Sequence, residues 1–222
     1  CLALMLASAT AAQAWTALGV IALVLAALLW RTHAEAGTAP PVAPFRWSRD
    51  STLLVACYGA FGFGYIIPAT FLPAMAKQAL PDPVAFGLVW PVYGAAAAAS
   101  TMLAGRARRR WGDRNVWAAS HLLMAAGVAV LLVPGIAPAF AMTASALLVG
   151  GTFMVATMAG LQEARRLAGA GARTLIAAMT TAFATGQIAG PLVVGVLGDA
   201  AACLVAAVIL LVATALALRR IP

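Results

Sequence analysis

The sequence predicts an all-α membrane protein, and three observations carry that prediction. Of 222 residues, 64% are hydrophobic and only 9% are charged, whereas a soluble domain carries about 25% charged residues. Uncharged stretches close to the length of a membrane crossing, about 20 residues, follow one another along the chain. The basic residues fall in every second connection between those stretches. So few charges cannot cover the surface of a soluble fold of this size. A bilayer serves as the solvent instead, and lipid is the first partner the sequence implies.

The chain opens with Cys1–Ala7, a short apolar run with no basic residue before it. A signal peptide needs a charged n-region and a cleavage site, so this run reads as the tail of a span that begins upstream. Ala14–Trp30 is the next stretch, bounded by Arg31. Arg31–Asp50 follows as the longest connection and holds Pro40, Pro41, Pro44 and Gly37, a composition that suits a flexible linker between two bundles. Six stretches come after it: Ser51–Ala76, Pro83–Gly105, Val116–Val133, Ala137–Gln162, Thr174–Gly198 and Ala200–Leu218. They are set out as three plus three. The expected organisation is residues 1–30 as the end of one bundle, 31–50 as a linker, and 51–222 as a six-helix bundle.

The formal net charge of +8 invites a nucleic-acid reading, but its distribution opposes one. Of the 14 Lys and Arg residues, only Lys77 lies in the second set of connections. This is the pattern in which cytoplasmic loops hold the Lys and Arg. It predicts a bacterial-type inner (plasma) membrane protein with the long linker, the Arg106–Asn115 loop and the C-terminus in the cytoplasm, and no nucleic-acid partner. Cys57 and Cys203 sit inside apolar stretches as small hydrophobes. No metal-ligand spacing joins the cysteines, so neither a metal nor a cofactor is expected.

Three motifs stand out. In Tyr58–Pro73, three glycines and two prolines interrupt one span. Proline removes a backbone donor, and freed carbonyls at membrane depth survive only against protein or a water-filled cavity. Tyr58, Gly62 and Tyr65 fall on one helical face, with Pro68 a turn below. Trp90 and Tyr93, three apart beside Pro91, form a second polar-edged face, and Gln187 is an amide deep in its span. Tyr58, Gly62, Tyr65, Pro68, Trp90, Tyr93 and Gln187 are the candidate cavity residues; close packing by glycines and interfacial tyrosines is the competing reading. Thr152, Thr181 and Thr185 are further polar candidates. The second motif is the turn Gly105–Asn115 with its five arginines. The third is Gly186-Gln-Ile-Ala-Gly190-Pro191-Leu-Val-Val-Gly195, where Gly186 and Gly190 form a small-residue face for close packing, Pro191 adds a kink and Gly195 is a further packing residue.

These motifs resemble the major facilitator superfamily. The turn is similar to its signature G-x-x-x-[DE]-R-x-G-[RK]-[RK]: Gly105, Arg110, Gly112 and Arg114 match. Arg109 stands where an acid belongs and Asp113 where a base belongs, so an acid and a base remain four residues apart. Tyr58–Pro73 resembles the first span of the C-terminal half in the YbfB/YjiJ group of that superfamily. The resemblance covers nearly the whole chain, as the end of span five through span twelve. It implies a major-facilitator-type helical bundle, alternating access between two six-helix halves, a first half mostly absent here, and Arg109, Arg110, Asp113 and Arg114 as charges that brace a helix end when the cytoplasmic side closes.

No Asp, Glu, Lys or Arg lies inside any of the stretches, and an intramembrane ionisable residue is the usual mark of a proton relay. If protons are a partner, the titrating carboxylate is expected in the missing half. Asp82, Asp199 and Glu163 stand at span boundaries and are expected to be solvated. His121 is expected to pack with a hydrogen bond, and His33 to do no chemistry. Tyr58, Tyr65, Tyr93 and Gln187 would suit a small organic solute with an apolar body. An enzyme would need a nucleophile with its base or a metal set, and the two histidines supply neither. The remaining alternative to a secondary transporter is a membrane-embedded sensor or scaffold.

Overall fold

The computed structural model describes residues 10–33, 45–80 and 82–219. The run Cys1–Ala7 and most of the linker therefore lie outside the described residues. The chain divides into two compact units, Cys1–Pro41 and Val42–Pro222.

The first unit holds α1 (Ala11–His33). Thr10 starts it by a reciprocal cap: its backbone N–H donates to Gln13 Oε1 at 2.8 Å, and its hydroxyl accepts from the Gln13 N–H at 3.3 Å. An uncharged, apolar stretch then runs from Ala12 to Trp30, long enough to cross a membrane.

The second unit holds α2 (Arg49–Ala79), α3 (Pro83–Trp111), α4 (Asp113–Ala129), α5 (Pro138–Ala168), α6 (Ala172–Leu197) and α7 (Ala200–Leu218). Their ends follow from local chemistry. Ser48 and Ser51 form a capping box at the start of α2, so the two otherwise orphaned N–H groups are satisfied reciprocally. Asp82 accepts from Val84 N at 3.0 Å ahead of α3, and Asp199 from Ala202 N at 3.0 Å ahead of α7. Both acids are exposed, as expected, and both also cap helices. Gly198 ends α6 in the left-handed region at φ 66°, where a side chain would be strained. The 17 residues of α4 span only about 26 Å, short of the ~30 Å hydrocarbon core. A 3₁₀ turn over Val130–Leu132 extends it by about 6 Å.

Among the described residues six continuous segments are long and apolar enough to cross a membrane. The longest, Pro138–Leu197, contains both α5 and α6, which the turn Gly169–Gly171 joins. Many large apolar side chains of the bundle are exposed, among them Met102, Phe140, Ile188, Leu192, Val196 and Ile209. A soluble monomer rarely shows so much continuous apolar surface; lipid accommodates it.

The helices pack as two triplets, α2–α4 and α5–α7. Each main contact has a counterpart when the triplets are exchanged: α2 against α6 mirrors α5 against α3, α4 against α5 mirrors α7 against α2, and α4 meets α7. The three-plus-three arrangement of the sequence is thus a packing relation. The α2–α6 crossing is closest. A Cβ at Gly62 would run into the Phe183 backbone, and one at Gly186 into the backbone of Gly59 and Phe63. Gly190 lies against Ile66 and Ile67. At the counterpart crossing, Gly150 lies against the Tyr93 backbone. Gly195 is corrected: among the described residues no neighbouring atom lies within 4 Å of its Cβ position, because nine residues past Gly186 it stands on the opposite side of α6, whereas Val194, close to the Gly186–Gly190 face, is buried.

Candidate functional site: an aromatic face and a charge cluster

Seven rings from four helices meet in the bundle: Tyr58, Phe61 and Tyr65 of α2, Trp117 and His121 of α4, Phe153 of α5 and Phe183 of α6. Tyr58 is buried against Phe61, Trp117 and Phe183. Tyr65, half-buried, stacks on Phe153 at 4.3 Å and lies nearly parallel to Phe183 at 6.0 Å. Edge-to-face and offset ring pairs of this kind contribute beyond their buried area.

The seven sequence candidates fall in different surroundings. Tyr58 belongs to the packed interior. Gly62 serves the approach of α6, and Pro68 is buried. Trp90 is exposed and touches Tyr93 edge-on at 5.1 Å. The structure does bring together Tyr65, Tyr93, Phe153 and Phe183. The Tyr93 hydroxyl is buried and, among the described residues, makes no hydrogen bond of ordinary geometry; the Tyr65 side chain is its polar neighbour and the nearest candidate partner. Gln187 lies one turn beyond Phe183 on α6, half-buried, with no hydrogen bond to its amide among the described residues. Thr152, Thr181 and Thr185 donate their hydroxyl hydrogens to carbonyls four residues back in their own helices, at 2.6, 2.9 and 2.9 Å. They keep only lone pairs for a ligand.

Phe153 and Phe183 are the residues that sequence reasoning missed. A lone Phe in an apolar span has no distinguishing pattern. The available signal was spacing, because Phe183 lies three residues before Gly186 and Phe153 three after Gly150, each beside a close crossing.

His121 is fully buried, and its Nδ1–H donates to the Trp117 carbonyl at 2.9 Å. Its ring packs on Phe61 and Trp117, the packing role expected of it. Its Nε2 and the Trp117 indole N–H are buried without hydrogen-bond partners among the described residues.

The second feature lies where α3 turns into α4 at Gly112, whose φ of 79° suits glycine alone. Asp113 pairs with Arg108, not with Arg109 four residues away; Arg109 instead reaches back over Gly105. Arg110 lies 5.8 Å from the Trp111 ring. Arg114 crosses from α4 to Glu163 near the end of α5, with Nη2 at 2.5 Å and Nε at 3.0 Å from Oε1. Arg166 closes the other side at 2.7 and 3.0 Å.

Glu163 is therefore a correction to the sequence reading: it is 2% exposed, not solvated. An acid at a span boundary becomes buried here because two arginines neutralise it and supply four hydrogen bonds. Burial pushes its carboxyl up, but the bonds and charges of Arg166 and Arg114 outweigh that and hold it below the usual range. The same bonds push Arg166 up. A cavity of about 510 Å³ opens over this cluster, and an apolar groove of about 420 Å³ continues from it between α3, α4 and α5.

A bundle of paired helix triplets, clothed in exposed apolar side chains and charged at its ends, defines a multi-pass membrane protein. The chain belongs to the family described as uncharacterised MFS-type transporter YbfB, whose model matches residues 1–221. No curated protein matches it. The family is one of transporters and is generally non-enzymatic.

Proposed function

We propose that this protein is a secondary active transporter that moves a small organic solute by alternating access, coupled to protons. The observation that carries this reading is the half-buried face of Tyr65, Phe153 and Phe183, edged by the unpartnered Tyr93 hydroxyl and the Gln187 amide. Stacking surfaces with a few neutral hydrogen-bonding groups suit an apolar or aromatic body with one or two polar substituents. Among the described residues no cation or anion edges the face, so a strongly charged solute would need its counter-charge from elsewhere.

Three of the four helices that bring these residues together are interrupted by proline. Pro68 and Pro73 interrupt α2, Pro91 interrupts α3 and Pro191 interrupts α6. Each leaves a carbonyl four residues back without its helical donor. Interrupted helices near the midplane are the usual setting of a transporter's binding site. In this reading residues 51–222 form the C-terminal bundle, 31–50 join it to the preceding bundle, and residues 1–30 end that bundle. The basic end faces the cytoplasm of an inner membrane. Arg108–Asp113 and Arg114–Glu163–Arg166 then hold the α3–α4 turn and the end of α5 in one arrangement, a two-state brace. Among the described residues every acid lies outside the middle of a span, so the proton-carrying group is assigned to the part of the protein that faces this bundle.

A ligand panel tests the reading. Neutral organic solutes with an aromatic or apolar body are screened for thermal stabilisation of the purified protein. A hit whose stabilisation is lost in Tyr65→Ala and Gln187→Leu supports the assignment, and an imposed pH gradient should drive its uptake into proteoliposomes. A hit that both variants bind as well as the wild type would place the site elsewhere.

A further inference from the structure

The cavity over the charge cluster and the apolar groove adjoin one another. Both are lined by Trp111, Asn115 and Arg219. The groove leads away from the basic end on all three of its walls: from Trp111 to Ala107 on α3, from Asn115 to Leu123 on α4, and from Val155 to Gly151 on α5. Its polar side chains are spoken for. The Ser120 hydroxyl donates to the Val116 carbonyl at 2.8 Å, and that of Thr152 to the Leu148 carbonyl at 2.6 Å. The groove therefore presents hydrocarbon.

The upper cavity is different. Its two acids are already held, Asp113 by Arg108 and Glu163 by Arg114 and Arg166. Arg219, at the end of α7, lines both spaces and makes no ion pair among the described residues. The surplus charge at the junction is thus positive. Exposed Trp111, with Arg110 beside its ring, marks the same level, as aromatic residues do where headgroups begin.

We infer that this feature is a binding site for an anionic phospholipid, with the phosphate at Arg219 and one acyl chain in the groove. The groove's length selects this occupant. Eight residue steps along α4, from Asn115 to Leu123, reach only about 12 Å into the span. A docking helix would need contact over most of the ~30 Å core, whereas an acyl chain descending from a headgroup needs no more than the groove gives. The charge selects the headgroup: a basic side chain near the surface favours an anionic lipid by roughly fivefold in binding, and a zwitterionic headgroup gains less.

Native mass spectrometry of the full chain tests this, with dioleoyl-phosphatidylglycerol and dioleoyl-phosphatidylcholine titrated at equal concentration. The wild type should retain phosphatidylglycerol in preference. Arg219→Gln, at an exposed helix end, should lose roughly fivefold of that affinity and leave phosphatidylcholine binding unchanged. Ala119→Trp, from an exposed position on the groove wall, should lower retention of both lipids by filling the groove. Equal retention of the two lipids by the wild type would overturn the proposal, as would retention unaffected by either variant. Glycerol 3-phosphate displacing phosphatidylglycerol at equal concentration would also overturn it, because the cavity would then be taking a soluble anion without the groove.

Discussion

Glu163 has two arginine partners, and the structure says they are not equivalent. Arg114 comes from another helix, is 18% exposed, and places two nitrogens on Oε1. Arg166 is three residues along the same helix and 58% exposed. Hydrogen bonds to a buried charged group contribute about 1.5–3 kcal/mol, while an exposed pair contributes about 0.2–1 kcal/mol. Arg114→Gln should therefore destabilise the bundle by about 1.5–3 kcal/mol, and Arg166→Gln by under about 1 kcal/mol. Equilibrium unfolding in mixed micelles measures both. Because Glu163 itself is only 2% exposed, the double variant should cost more than the sum, since the carboxylate is then buried without a counter-charge. Equal costs for the two single variants, or a greater cost for Arg166→Gln, would refute the ranking by burial.

Three further predictions follow from the packing and the charges. Folded Glu163 titrates below its ordinary value of 4.5, so its contribution to stability is fully present above that value and is lost as pH falls through the folded one. Glu163→Gln should flatten the acid limb of the stability-versus-pH curve; an unchanged limb would show that the group does not titrate with folding. Gly186→Leu should cost about 1–3 kcal/mol or more by pushing α6 off α2, while Gly195→Leu should stay within about 0.5 kcal/mol, read as melting temperatures in detergent. Removing the unpartnered hydroxyl in Tyr93→Phe should leave stability unchanged or raise it by about 1 kcal/mol and weaken binding of any solute the aromatic face takes. A loss of more than 1 kcal/mol would mean that the hydroxyl is satisfied after all.

The fold was legible because lipid imposes a simple rule: every backbone group must be satisfied within the segment, so apolar length maps directly onto helices. The three-plus-three spacing matches two helix triplets, but which helices pair across them is seen only in the structure. Packing glycines were legible in part. Gly186 and Gly190, four residues apart, meet α2 as their spacing suggested, whereas Gly195, five residues further on, faces away and has no neighbouring atom within 4 Å among the described residues. A four-residue step keeps a helix face and a five-residue step leaves it, so packing turns on small angular differences. The site was harder to read for the same reason. Tyr58 and Tyr65 share a helix face, yet a small rotation puts one in the interior and the other at its edge. Asp113 selected Arg108 over Arg109 because Gly112 turns the backbone between the two helices. The burial of Glu163 depends on an arginine 49 residues away, a relation that no local pattern encodes.

The claim at the centre of this account is movement of a solute, as opposed to binding alone, and counterflow tests it most directly. Proteoliposomes are loaded with an unlabelled solute found in the panel, diluted into a trace of the labelled form, and followed without any imposed gradient. The account predicts transient accumulation of label that Tyr65→Ala abolishes. Binding of the solute with no accumulation would contradict it and leave a membrane-embedded sensor or scaffold in its place.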